Sequence, residues 1–217
     1  MDTGTADYYR RYAQSLTDSS ESSRSAMLPH IERALSPGAS VLDVGAGSGR
    51  DVAAMLRGGF DAFGVEPSAD MLATALHFHP ALEGRLEQAM LPGLGRPFSE
   101  RLPGGFDAVV CSAVLMHLEP AEIPQALEAM VEQLRAVMSD DVKATSPALL
   151  ISLPFLDPCR LIAQRDEDGR RFHNHDADQL RDHLATLGLS LERSIDSDAA
   201  FVTAGTLWKT IVFRRRP

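Results

Sequence analysis

The stretch that most restricts what this chain can fold into is Val41-Leu42-Asp43-Val44-Gly45-Ala46-Gly47-Ser48-Gly49-Arg50-Asp51. A short apolar run reads as a buried parallel strand, and here it passes straight into a glycine-rich turn that opens a helix. That order sets bare backbone amides at the carboxyl end of the first strand, where open α/β sheets bind their ligands. Glycine is required there because a side chain would bar a ligand from the backbone and because tight turns demand positive φ. The spacing is GxGxG, with Arg50 standing where a dinucleotide fingerprint GxGxxG would set its last glycine, which weighs against a nicotinamide cofactor.

The rest of the chain repeats the same alternation. Residues Met27 to Leu35 read as a helix stopped by Ser36-Pro37-Gly38, Ser40 to Val44 as strand, and Arg50 to Leu56 as a helix ended by Gly58-Gly59. Phe60 to Glu66 follows as strand, Ser68 to Leu76 as a helix capped by Ser68, and Arg85 to Gln88 as a third strand. Phe106 to Ser112 is a fourth strand of the fully buried type, Ala121 to Met138 a long helix, and Ala148 to Leu153 a fifth strand. Residues 154–175, with the charged cluster RDEDGRR, read as a long loop over the edge or top of the sheet. A helix from Ala177 to Leu187, capped by Asp176 with Gln179 completing a capping box, precedes two last strands, Leu189 to Ile195 and Leu207 to Phe213. Their connection is too short for a helical crossover, so they pair as an antiparallel hairpin. The expected fold class is α/β: a doubly wound, Rossmann-like sheet of seven strands, mostly parallel with a C-terminal antiparallel hairpin, and helices on both faces. At 217 residues one domain over 1–217 is expected.

Composition narrows the partners. Asp and Glu number 30 against 21 Lys and Arg, a formal charge of −9, the wrong sign for a broad grip on phosphate backbones. Aromatic residues make up only 6%, leaving few stacking platforms for single strands. Cys111 and Cys159 neither frame disulfides nor sit as a metal pair, so a reducing, cytoplasmic setting is the default and no metal is expected. No apolar h-region follows the N-terminus, and the longest apolar stretch, Ala108 to Leu118, is broken by Ser112 and His117, so no membrane span is expected. The three tyrosines, Tyr8, Tyr9 and Tyr12, all fall in the first dozen residues. Tyr8 and Tyr12, four apart, form either the stripe of a packing helix or part of a segment folded over a ligand.

With strand, glycine turn, helix, second strand and terminal acid in order, the sequence resembles the class I S-adenosylmethionine-dependent methyltransferases. VLDVGAGSGRD looks like that family's first motif, FGVEPSADML like its second, and FDAVVCSAVLMHL like the fourth strand and its exit loop. The final hairpin, including GTLWKTIVFRR, is similar to the sixth and seventh strands that set this fold apart from dehydrogenases. The resemblance implies S-adenosylmethionine as cofactor, with S-adenosylhomocysteine as product, and assigns residues to it. The backbone of Gly45, Ala46, Gly47 and Gly49 would meet its methionine portion, with Asp43 orienting the loop or holding the amino group through water. Glu66 would hold the ribose hydroxyls, and Pro67 and Met71 the face of the adenine. Where relatives present an acid to the adenine amine this chain has Gln88, so backbone contacts from Ala89, Met90 and Leu91 would substitute. Ser112, Ala113 and His117 would stand on the methyl-bearing side. Residues 1–36 would form an N-terminal helical lid bringing Tyr8 and Tyr12 to the cofactor, and 154–175 a loop on the substrate side.

For catalysis the candidates are His117, after the fourth strand, and His173 and His175 on the long loop as a substrate-facing acid or base pair. His173 and His175 with Asp176 fit no common metal spacing, and Asp176 is better used as a helix cap. Arg160, Arg170 and Arg171 read as a solvated charged loop or as partners for a substrate carboxylate. Because a sulfonium methyl is already activated, alignment and exclusion of water do most of the chemistry, with little need for a general base. The expected activity is therefore methyl transfer to a small-molecule acceptor, by a monomer or homodimer that binds neither nucleic acid nor membrane. Two other readings stand beside it: a nicotinamide-dependent oxidoreductase on a related sheet, and a cofactor-binding regulatory protein without catalysis.

Overall fold

The computed structural model describes residues 1–17, 25–136, 146–197 and 206–215. In chain order the elements are α1 (Thr3–Ser15), α2 (Leu28–Ala34), β1 (Ser40–Val44), α3 (Arg50–Arg57), β2 (Asp61–Val65), α4 (Ala69–Phe78) and β3 (Leu86–Glu87). They continue with β4 (Ala108–Ser112), α5 (Ile123–Gln133), β5 (Ala148–Leu156), α6 (Ala177–Thr186), β6 (Leu189–Ser197) and β7 (Thr206–Arg215). Among the described residues one seven-stranded sheet runs in the order β3-β2-β1-β4-β5-β7-β6. The first five strands are parallel, whereas β7 lies antiparallel between β5 and β6.

Strand periodicity divides the core into two layers. Successive side chains of a strand point to opposite faces, so the residues of one strand feed two cores. Leu42, Val109, Cys111, Leu149 and Ile151 join α5 and α6 on one face through Leu127, Met130, Leu180 and Leu184. Val41, Val110, Leu150 and Val212 meet α2 and α3 on the other through Ile31, Val52 and Met55. Because both faces are covered, β1 is buried at every position and β4 at all but its last, with no alternation of buried and exposed residues.

Three boundaries depart from the sequence reading for local reasons. The helix expected over Ala121–Met138 begins with a single 3₁₀ turn at Pro120–Glu122 and ends at Gln133. There Leu134 turns extended and Phe106 captures the chain, donating to the Gln133 carbonyl and accepting from the Arg135 amide; Met138 lies outside the described residues. Strand β5 runs on through Pro154 to Leu156 because β7 continues alongside it, while its pairing with β4 stops at Ser152. Proline is tolerated where a strand has a partner on one side only. The long loop is correspondingly shorter, and Asn174 holds its two ends together by bonding both the amide and the carbonyl of Leu156. The serine-rich patch lies largely outside the described residues, as does Arg216.

Candidate functional site

The first strand delivers the glycine turn to the carboxyl edge of the sheet. Gly45 has φ +80°, and a Cβ there would stand 2.3 Å from Cγ2 of Val114, so the close approach of the β1 and β4 exit loops admits only glycine. Gly49, at φ +76°, is the N-cap of α3, and its Cβ would press on Leu82 at 2.5 Å. The expected cradle of bare amides is met in part. Gly45 and Ala46 donate to the Val65 carbonyl, Gly49 to Ala46, and Gly47 to the Glu66 carboxylate at 3.0 Å.

Above this turn opens a cavity of about 530 Å³, within the range of small-ligand sites. Asp43, Gly45, Ala46 and Gly47 line its floor, with Arg50 and Asp51 from the start of α3. Glu66, Pro67 and Met71 come from the exit of β2, and Ala89, Met90 and Leu91 from the segment after β3. Ser112, Ala113 and His117 come from the exit of β4, where Ala113 takes a left-handed φ of +57°. Helix α1 closes the cavity with Tyr8, Tyr9 and Tyr12. Gly49, by contrast, faces Leu82 behind the turn and is no part of the lining.

The carboxylates of the floor are electrostatically loaded. Burial pushes Asp43 well above the usual carboxylate range, Asp51 and Glu66 add to the rise, and Arg50 opposes it. Burial also raises Glu66, against the amides of Ser68 and Gly47 that stabilise its charge. Glu66 thus ties the glycine turn to the N-terminus of α4, where Ser68 caps the helix by accepting from Met71. Gln88 donates to the Pro67 carbonyl at 2.9 Å.

His117 is fixed from both sides. Its Nδ1 lies 2.7 Å from the Arg171 carbonyl, which can only accept, so Nδ1 carries the proton and donates. In the neutral ring Nε2 is then an acceptor, and Tyr9 donates its hydroxyl proton there at 3.0 Å. Burial lowers the pKa of His117 to about 4, which outweighs the carbonyl bond that favours its cation. Burial likewise raises the Tyr9 phenol.

His173 and His175 are not brought to the cavity, which corrects their expected catalytic role. His175, 7% exposed, donates from Nε2 to the Leu115 carbonyl at 2.7 Å, and the His173 amide donates to the Met116 carbonyl while its ring lies 3.2 Å from Glu119. The two brace, from behind, the turn Leu115–His117 that carries His117. The arginines of the long loop are pinned rather than solvated. Arg170 pairs with Asp166 at 2.7 Å and lies 4.5 Å over the Tyr8 ring, and Arg171 contacts Glu119 at 3.3 Å. Arg165 reaches Asp2, the N-cap of α1, at 2.8 Å. Sequence reasoning passed over Tyr9, Phe172, Trp208 and Asp166 as lining residues, while Arg170, named as a partner for a substrate carboxylate, does line the cavity. Only Tyr9 carried a signal, the clustering of every tyrosine beside it. Among the described residues no group of three or more His, Cys, Asp or Glu is placed to hold a metal, and no helix is long and apolar enough to cross a membrane.

This geometry has parallels in known proteins. Residues 41–136 match a family model described as Methyltransferase domain. No curated protein sequence matches the chain. Among solved structures, a TehB-like SAM-dependent methyltransferase from Corynebacterium glutamicum superposes with TM-score 0.66 at 18% identity, over 99% of this chain and 100% of its own. The 1,6-didemethyltoxoflavin-N1-methyltransferase of Burkholderia thailandensis, with bound 1,6-didemethyltoxoflavin and S-adenosylhomocysteine, gives 0.63 at 19%, over 98% and 89%. The magnesium protoporphyrin IX methyltransferase of Synechocystis, with bound SAM, gives 0.61 at 17%, over 97% and 81%. Such distant likeness speaks for the fold. Residues 41–136 are thus a methyltransferase domain, and the chain has the fold of the S-adenosylmethionine-dependent methyltransferases it superposes on. Its methyltransferase domain carries the glycine turn, Glu66 and the His117 turn alike.

Proposed function

We propose that the protein methylates a small-molecule acceptor within the cavity under α1. S-adenosylmethionine supplies an activated sulfonium methyl group, so the chain's task is to hold, align and keep dry. The floor suits such a cofactor. Asp43 and Glu66 are acidic groups held in a buried place that opposes their charge, which a sulfonium and an ammonium would relieve. On this reading Asp43, Gly45, Ala46 and Gly47 take the methionine portion, Glu66 the ribose, and Pro67, Met71, Ala89, Met90 and Leu91 the adenine. Gly49 serves by shaping the turn. Helix α1 acts as the lid, contributing Tyr8 and Tyr12, while the stretch from Pro154 to Phe172 forms the acceptor's side of the cavity. Ser112, Ala113 and His117 stand between the two regions.

The observation that carries the proposal is the continuity of this cavity. The acidic, glycine-lined floor runs without a break into walls of Leu156, Phe172 and Trp208, so two ligands of different polarity can meet inside it. Its size and enclosure by a helix suit a small acceptor, as for the toxoflavin precursor bound in the Burkholderia neighbour. Calorimetry tests it: S-adenosylmethionine and S-adenosylhomocysteine are each expected to bind below millimolar concentration and NAD not to bind. The reading falls if NAD binds and neither adenosyl compound does.

A further inference from the structure

A ring of hydrogen bonds begins and ends on α1. Thr5, fully buried, donates its hydroxyl proton to the Asp2 carboxylate at 2.6 Å and accepts the Arg171 amide at 2.9 Å. The Arg171 carbonyl accepts from His117 Nδ1 at 2.7 Å, and Tyr9, one helical turn beyond Thr5, donates to His117 Nε2 at 3.0 Å. Every donor in the ring is assigned by its partner: a carboxylate and a carbonyl only accept, an amide only donates. The Tyr9 proton is therefore committed to His117, while its oxygen, which also takes a side-chain hydrogen bond from Arg170, faces the cavity wall with its remaining lone pair.

We propose that Tyr9 and His117 form a proton-accepting dyad for an acceptor with an apolar body and a hydroxyl group, and that docking of α1, through Thr5 and the Arg171 backbone, assembles it. The inference rests on the methyl-transfer reading above. A hydroxyl nucleophile needs an acceptor for its proton that does not already point one at it, and the oriented Tyr9 oxygen is such a group. As the acceptor oxygen takes the methyl group, the pair of the broken C–S bond stays on sulfur, leaving a thioether. The hydroxyl proton passes to Tyr9 Oη while Tyr9 gives its own to His117 Nε2, leaving a methyl ether, a neutral tyrosine and an imidazolium. The positive charge lost at sulfur thus reappears on His117, whose Nδ1 keeps its proton and still donates it to the Arg171 carbonyl. A neutral imidazole is needed at the start, and burial keeps His117 in that form. The apolar walls of Leu156, Phe172 and Trp208 would seat the body of the acceptor. Thr5 is a positioning residue in this scheme, since it reaches the dyad only through the Arg171 backbone.

The test uses the full chain saturated with S-adenosylhomocysteine. Long-range ¹H–¹⁵N spectra of histidine-labelled protein at neutral pH, with His117→Gln to assign the resonance, are expected to show His117 protonated on Nδ1 only. Thr5→Val, nearly isosteric, is expected to mix the two tautomers, and Thr5→Ser to restore the single form. By calorimetry 2-naphthol is expected to bind this complex, at least tenfold more weakly in Tyr9→Phe, and more weakly in Thr5→Val with recovery in Thr5→Ser. A wild-type His117 protonated on Nε2, indifference of naphthol binding to Tyr9→Phe, or no naphthol binding to the loaded protein each overturns the dyad. Failure of S-adenosylhomocysteine itself to bind would instead strike the methyl-transfer reading.

Discussion

Glu66 and Asp43 show how single residues here serve folding and function with opposite signs. Glu66 accepts from Gly47 and Ser68, so it joins two loops before any ligand arrives. Replacing it with alanine removes these bonds and those expected to the ribose, and weakens S-adenosylmethionine binding by about 1 to 3 kcal/mol, read by calorimetry. Asp43 has no such gain: burial, Asp51 and Glu66 all disfavour its charge. A carboxyl whose folded pKa is raised favours the fold at low pH and loses that contribution as pH rises through the raised value. Asp43→Asn is therefore expected to unfold at higher temperature than the parent, by a margin that grows from about pH 4 to pH 7, while losing cofactor affinity. A margin that shrank with pH would contradict the burial argument. The same group should ionise when a cationic ligand arrives, so binding releases a proton. Calorimetry at about pH 5.5 in buffers of different ionisation enthalpy measures this, and proton uptake would contradict it.

At the scale of elements, the sheet and α1 are held by different physics. Helix α5 buries Ala126, Leu127, Met130 and Val131 against the sheet, and truncating the fully buried Leu127 to alanine should cost about 2 to 5 kcal/mol in denaturant unfolding. Helix α1 buries only Thr5 and Ala13, and is tied down by Asp2 to Arg165 and by Arg170 against Tyr8. Its amides should therefore exchange with deuterium well before those of β1 and β4, and Arg165→Ala should speed α1 alone. Equal protection of α1 and the sheet would refute this. The contrast also explains what could be read in advance. Strands β1 and β4 and the Gly45 turn obey short-range rules, a short and mostly apolar run and positive φ, and were legible to within a residue or two. The same holds for Ser68 and Asp176 as caps, each accepting from a nearby amide. The bonds Tyr9 to His117, Arg165 to Asp2 and Arg171 to Thr5 each join residues more than a hundred apart in the chain, and no local pattern encodes them. His173 and His175 misled because sequence places them beside the cavity without saying which way a ring turns.

For the molecule as a whole the charge of −9 is not spread evenly in its effect. The cavity lining holds six carboxylates, Asp43, Asp51, Glu66, Asp166, Glu167 and Asp168, against three guanidiniums, Arg50, Arg160 and Arg170. A ligand inside meets that imbalance at short range, screened less than at the surface. S-adenosylmethionine carries one net positive charge and its demethylated product none, so the field favours what must enter over what must leave. A unit charge held near an unbalanced carboxylate at intermediate dielectric is worth on the order of 1 kcal/mol, or about fivefold in affinity. Raising the salt from about 20 mM to about 500 mM shortens the screening length several-fold and should remove part of that difference, since screening is weaker inside the cavity. Titrations at the two salts are therefore expected to show S-adenosylmethionine weakening by about twofold while S-adenosylhomocysteine changes little. Equal salt dependence for both would mean that the preference comes from contacts with the methyl group and not from the field of the cavity.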